Sequence, residues 1–197
     1  MKKKLSILAL ILFPAFILMF LSITPYNDSN KVTVASIKPH AVGTSPSCAK
    51  LTYMAENFDD LISNSSLIIE AVPTEKQEEI TYLQTSFTTT KIKVKQVFKG
   101  TLNENEITLL QTNIEDDPLV KKGGRVLLFL QKYDGPITKN AYVCKGLYQG
   151  NYDIDANGSL ISRIDLKSHN PKLSKDLENN NTLEGLKSKI NSKLSGI

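Results

Sequence analysis

The chain has 197 residues, enough for one ordinary domain with appendages, and its apolar content is that of a globular protein without a single Trp. Of the +4 net charge, Lys2, Lys3 and Lys4 supply three, and without them 21 basic residues face 20 acidic ones. A nearly neutral body has no global field to draw in a polyanion, so nucleic acid is excluded as the expected partner.

After the three lysines, Leu5 to Ile23 runs nineteen residues with only Ser6 and Ser22 as mildly polar members. As a helix this run reaches roughly 28 Å, close to the thickness of a bilayer's hydrocarbon core. Secretory signal cores are shorter, about 7 to 15 residues, and end in a small-x-small cleavage site. Phe20-Leu21-Ser22 fits such a site badly, whereas Thr33-Val34-Ala35 fits it better but lies further on. Residues 1–23 therefore read as either an uncleaved anchor or a signal peptide. In both cases the lysines stay inside and the C-terminal body lies outside, on the cell membrane or secreted. Residues 24–47, rich in Ser, Thr, Asn and Pro, read as a linker in which His40 stands alone.

Cys48 and Cys144 are the only cysteines. In an exported chain the simplest expectation is a disulfide between them, closing a loop of about 96 residues and stabilising the fold by up to roughly 4 to 5 kcal/mol. A reactive thiol is the alternative, without a Cys-x-x-Cys or a His or Lys cluster behind it. Met54, Phe58, Leu61 and Ile62 then mark one face of a short helix that Asn64-Ser65-Ser66 ends. Leu67 to Val72 reads as a strand closed by Pro73, and the acidic stretch Thr74 to Glu79 as a surface loop.

Phe87 to Gly100, FTTTKIKVKQVFKG, is the longest strand pattern in the chain. Lys91, Lys93 and Lys95 share one face, Ile92 and Val94 the other, and the slip of phase to Val97 predicts a bulge near Gln96. Bulges bend strands, and bent strands close small barrels. The lysine row is the wet face of a half-buried sheet, or alternatively a binding surface for an anionic polymer or membrane. Glu106 to Thr112 and the nearly continuous apolar run Arg125 to Gln131 give two more strands, the latter the most buried. Ala141 to Cys144 returns as another, and Asn151 to Ile154 continues beyond it.

Lys121-Lys122-Gly123-Gly124 lacks the spacing of a phosphate-binding loop and reads as a hairpin turn. Asp153, Asp155, Asn157 and Gly158 match the first half of a calcium loop, but Ile164 stands where its last ligand, Glu, belongs. Asn157-Gly158 between extended residues is a hairpin signal instead. From Ser168 the chain is polar and Asn-rich, with His169 isolated, until Leu183, Leu186, Ile190 and Leu194 mark an amphipathic helix. Asn181 and Glu184 are spaced for its capping box. No nucleophile–base pair and no ligand cluster emerges, so the expectation is a protein without enzymatic activity, metal or cofactor.

Taken in order, NFDDLISNSSLIIEAV, KIKVKQVFKG, EITLLQT, GGRVLLFL and AYVC resemble the inhibitory domain of the tissue inhibitors of metalloproteinases and the related netrin-type modules. The resemblance covers about half the chain. It implies a mainly β fold over residues 48–165: a five-stranded oligonucleotide/oligosaccharide-binding (OB) type barrel with a short N-terminal helix, followed over 166–197 by a polar tail and the C-terminal helix. It also implies that Cys48 and Cys144 form the bridge from the N-terminal segment to the last barrel strand. Inhibitors of that family begin with Cys-x-Cys, whose first amine and carbonyl chelate the target's zinc, but here Pro46 occupies the first position and a linker precedes it. The leading expectation is a module that binds an extracytoplasmic protein or envelope polymer. Inhibition of an extracellular protease through Cys48, Ala49, Lys50 and Leu51 is the alternative, and an anionic-polymer site at Lys91, Lys93 and Lys95 a further one.

Overall fold

The computed structural model describes residues 53–114 and 117–196, so the predicted anchor, the linker and Cys48 to Leu51 lie outside the described residues. The protein is mainly β, with seven strands in one mixed sheet: β1 (Leu67–Tyr82), β2 (Thr85–Lys99), β3 (Glu106–Thr112), β4 (Arg125–Lys132), β5 (Ala141–Cys144), β6 (Asn151–Ile154) and β7 (Leu160–Ser162). Their order is β1-β2-β3-β5-β4-β6-β7, and β1 also pairs with β4. That extra pairing returns the first five strands on themselves in a ring, with β3 and β5 parallel. The hairpin of β6 and β7 extends the sheet beyond β4, so the sheet has two strands more than the five expected.

Alternation along β4 explains why its apolar run is continuous: it separates two cores. Val126, Leu128 and Leu130 pack with Leu67, Ile69 and Ala71 of β1, Ile92 of β2 and Ile107 and Leu109 of β3. Leu127 and Phe129 pack on the opposite side with Ile68, Tyr152 and the helices. There Phe58, Phe129 and Tyr152 form a triangle of rings with centroids 5.6 to 6.1 Å apart. Such aromatic pairs contribute roughly 0.5 to 1.5 kcal/mol each beyond the area they bury.

The first helix, α1 (Phe58–Asn64), buries Phe58, Leu61 and Ile62 as expected, while Met54 precedes it and is exposed. Asn57 caps it by accepting from the Asp60 N–H at 2.9 Å. At its other end Lys99 Nζ donates to the Ile62 and Ser63 carbonyls at 2.6 and 3.0 Å, tying the end of β2 to the last turn. Beside it, Gly100 has φ +87°, and a Cβ there would lie 2.4 Å from the Ser66 carbonyl oxygen, which explains the Lys-Gly corner.

Several expectations are corrected here. Thr74 to Glu79 is no loop: β1 runs unbroken through it to Tyr82 and pairs with β2 up to Tyr82 opposite Thr85. Pro73 does not end the strand, because it sits at a register shift, where a missing N–H is tolerated. The polar tail is helical. It forms α2 (Leu166–His169) and α3 (Pro171–Asn179), and Leu173 of α3 is fully buried. The last helix, α4 (Leu183–Ser195), docks through Leu183, Leu186 and Ile190, but Thr182 caps it by accepting from Gly185 N–H at 3.1 Å, in place of Asn181. The turn at Lys121 to Gly124 joins no pair of strands.

Two local readings match the structure. The β1–β2 register skips Lys95 and Phe98, which brackets the bulge expected near Gln96. Asn157-Gly158 turns the β6–β7 hairpin, with Gly158 at φ +82°. The Asp155 carboxylate accepts from the N–H groups of Asn157 and Ser159 at 2.8 and 2.7 Å, and these bonds hold its pKa below the usual value.

Candidate functional site

Lys91, Lys93 and Lys95 are all exposed on β2. Polar and acidic groups on the neighbouring strands lie beside the row, however. Lys93 stands opposite Glu106 on β3, Gln96 beside Lys95 stands opposite Glu70, and Glu70 itself accepts from Arg125 Nε at 3.0 Å. Lys91 Nζ is held by the Thr108 hydroxyl at 3.0 Å. Opposite charges across a ladder stabilise the sheet by a few tenths to about 1 kcal/mol and lower the outward field of the row.

Sequence reasoning missed the exposed hairpin tip between β1 and β2. Beyond Ala71, β1 leaves β4 and continues along β2, which β3 backs as far as Phe87, to form an arm whose tip is Tyr82-Leu83-Gln84-Thr85. Leu83 and Gln84 both have positive φ, +47° and +66°, a conformation that a two-residue hairpin turn requires and that side chains other than Gly, Asn and Asp resist. Leu83 is 81 % exposed and Tyr82 is exposed beside it, with Ile80 and Phe87 paired behind them. The signal for this arm is faint in sequence, since Leu-Gln is not a recognised turn dipeptide.

At the other end of the ring a depression of about 290 Å³ opens between the β2–β3 loop and the start of β5. Leu102, Ile107 and Tyr142 line it along with Asn103, Glu104, Lys132 and Asn140, the last with φ +56°.

Cys144 is buried at the end of β5 and has no sulfur partner among the described residues, which do not include Cys48. Burial pushes its pKa well up, the nearby Asp117 adds to that, and Arg163 opposes it. A thiol so held is a poor nucleophile, because the thiolate is the reactive form. The described chain begins next to this residue. The Tyr53 ring lies 4.1 Å from Nζ of Lys145, the residue after Cys144. Two bonds from the Gln149 side chain, at 2.7 and 3.0 Å, hold the Ala55 backbone on the adjoining turn Leu147–Gly150. Burial and the neighbouring Asp60 push the Tyr53 phenol up to about 12, so it is a neutral donor at physiological pH.

His169, isolated in sequence, packs its ring edge-on against Tyr148 with centroids 5.7 Å apart. Among the described residues no three His, Cys, Asp or Glu side chains cluster as for a metal ion. No helix among them is long and apolar enough to cross a membrane, and residues 5–23 lie outside them. No protein-family model matches the chain, and no curated protein matches it.

Proposed function

We propose that the chain carries a non-catalytic extracytoplasmic binding module, delivered across a membrane by residues 1–23 and built on an OB-like barrel similar to netrin-type domains. The closed ring β1-β2-β3-β5-β4 supports the barrel reading, and the β2 bulges supply the bend that closure of so few strands needs. The observation that carries the binding role is the arm. The hairpin of β1 and β2, backed by β3 as far as Phe87, ends in a tip that exposes Tyr82 and Leu83, with Leu83 and Gln84 on a backbone that neither favours. Strained, apolar and exposed residues together mark contact sites more often than they serve stability.

A photoreactive residue placed at position 83 of the full-length chain in its own cells tests this. Discrete cross-linked products are expected from position 83 and none from Ile161, a half-exposed apolar residue on β7. No product at 83, or the same products at both, overturns the arm as the binding element. Products from position 93 alone move the role to the lysine row and an anionic envelope polymer.

The second reading, inhibition of an extracellular protease by Cys48, Ala49, Lys50 and Leu51, draws support from the docking of Tyr53 beside Lys145, which brings the N-terminal segment to the last ring strand.

A further inference from the structure

We infer that the free edge of β1, Gln77 to Tyr82, takes up an extended polypeptide with alternating basic and apolar side chains as an added strand. The inference rests on the arm being the binding element and names the kind of partner it fits. β2 occupies one edge of β1, and β4 occupies the other only from Leu67 to Ala71. Beyond that point no strand among the described residues covers this second edge.

The direction of its backbone groups follows from one bond. Asn113 N–H donates to the Ser86 carbonyl at 3.3 Å, so Ser86 turns its backbone groups toward β3. Alternate residues of an antiparallel strand face opposite edges, so Thr85 and Phe87 face β1 and exchange bonds with their register partners Tyr82 and Ile80. Gln77, Glu79 and Thr81 are therefore left with N–H and C=O groups aimed outward, over a length of roughly 14 Å. Such an edge is a template for strand addition.

Charge selects the occupant. Glu75, Glu78 and Glu79 on the outer arm outnumber Lys76, and Lys122 is paired to Glu75 alone. On one face of the arm Glu78 precedes Ile80 and Tyr82, and on the other Glu79 lies between Gln77 and Thr81. An incoming strand with lysines over Glu79 and aliphatic residues over Ile80 and Tyr82 satisfies both faces. A second copy does not fit. In the antiparallel register that sets Gln77 opposite Thr81, self-pairing puts Glu79 against Glu79, and the lysine-bearing β2 already has both edges taken by β1 and β3.

The test uses the full-length chain and dye-labelled peptides of about nine residues, long enough to span the edge. An alternating Lys/Val peptide is expected to bind at least about tenfold more tightly than its Glu/Val counterpart. The same margin is expected over the Lys/Val peptide N-methylated at every second amide. Glu79→Pro removes one outward N–H without touching the β2 ladder and is expected to cost the same factor. Should that variant not fold, Glu78→Lys/Glu79→Lys keeps the backbone intact and is expected to reverse the preference to the Glu/Val peptide. Equal binding of the N-methylated peptide, unchanged preference on charge reversal, or no binding by any peptide overturns strand addition. Cross-linking at position 83 that survives such a result leaves the arm as a contact site, and loss of that cross-linking removes both readings.

Discussion

Asp117 shows how one side chain can organise a stretch that looks like loop. Its carboxylate accepts from the Thr112 N–H and hydroxyl at 2.8 and 2.9 Å and from Gln111 Nε2 at 3.3 Å, folding residues 117–120 back on β3. Gln111 completes the clasp by accepting from Val120 N–H at 3.1 Å. The buried Arg163 reaches the same stretch through the Leu119 carbonyl and is ion-paired to Asp153. Burial raises the Asp117 pKa, and the bonds from Thr112 and Gln111 only partly offset that. The folded state therefore holds this proton more tightly than the unfolded chain. Between the ordinary carboxylate value of 3.8 and the raised one the native state binds more protons, so stability falls as pH rises through that window. The urea midpoint of the native protein relative to Asp117→Asn should therefore fall as pH rises across this range. Nothing in Glu115-Asp116-Asp117-Pro118 tells which carboxylate turns inward, because that depends on Gln111 and Thr112 being presented by a neighbouring strand.

At the scale of elements, the two hairpins make a contrast. Asn157-Gly158 is legible because its residues tolerate the left-handed region and leave the chain little else to do. Leu83-Gln84 reaches the same region against its own preference, held there by pairing along β1 and β2 from Gln77–Thr90 to Tyr82–Thr85. A strand read from local pattern stops at Pro73 and the acids after it, and only the β2 partner shows that it continues. Replacing the turn by Leu83→Asn/Gln84→Gly should relieve the backbone and raise stability by about 1 to 2 kcal/mol, seen as a higher urea midpoint. The same change removes the exposed apolar tip. Stability gained with loss of cross-linking at position 83 is the expected pair of results; a lower midpoint would show that Leu83 contributes packing.

For the whole molecule, the position of the N-terminal segment matters most. Cys48 is five residues before Tyr53, within an extended reach of about 17 Å, and Tyr53 already lies against the residue following Cys144. A bridge between the two cysteines would lock that segment to the ring and would use a thiol that burial has made unreactive in other roles. The native protein's mass should rise by about two daltons on reduction, the two hydrogens added at the sulfurs. Cys144→Ser should lower stability by up to roughly 4 kcal/mol under oxidising conditions, and far less under reducing ones. Unchanged mass removes the bridge. The same measurement gives the start of the native chain: a start at Cys48 favours the protease-inhibitor reading, and a start at Met1 or after Ala35 counts against it.

By itself the sequence determined the elements whose cause is local. The face of α1 follows from apolar spacing, the face of α4 likewise, the depth of β4 from its unbroken apolar run, and the exposed lysines of β2 from strict alternation. It also determined the bulge, since a slip of phase along one strand needs no partner to be seen. The tertiary structure alone decided the closure of β1 on β4, the length of the arm, the helical turn of the polar tail around Leu173 and the inward fold of Asp117. Each of these depends on hydrogen bonds or burial supplied by residues distant in the chain, and a local pattern cannot encode the groups that will satisfy it from elsewhere.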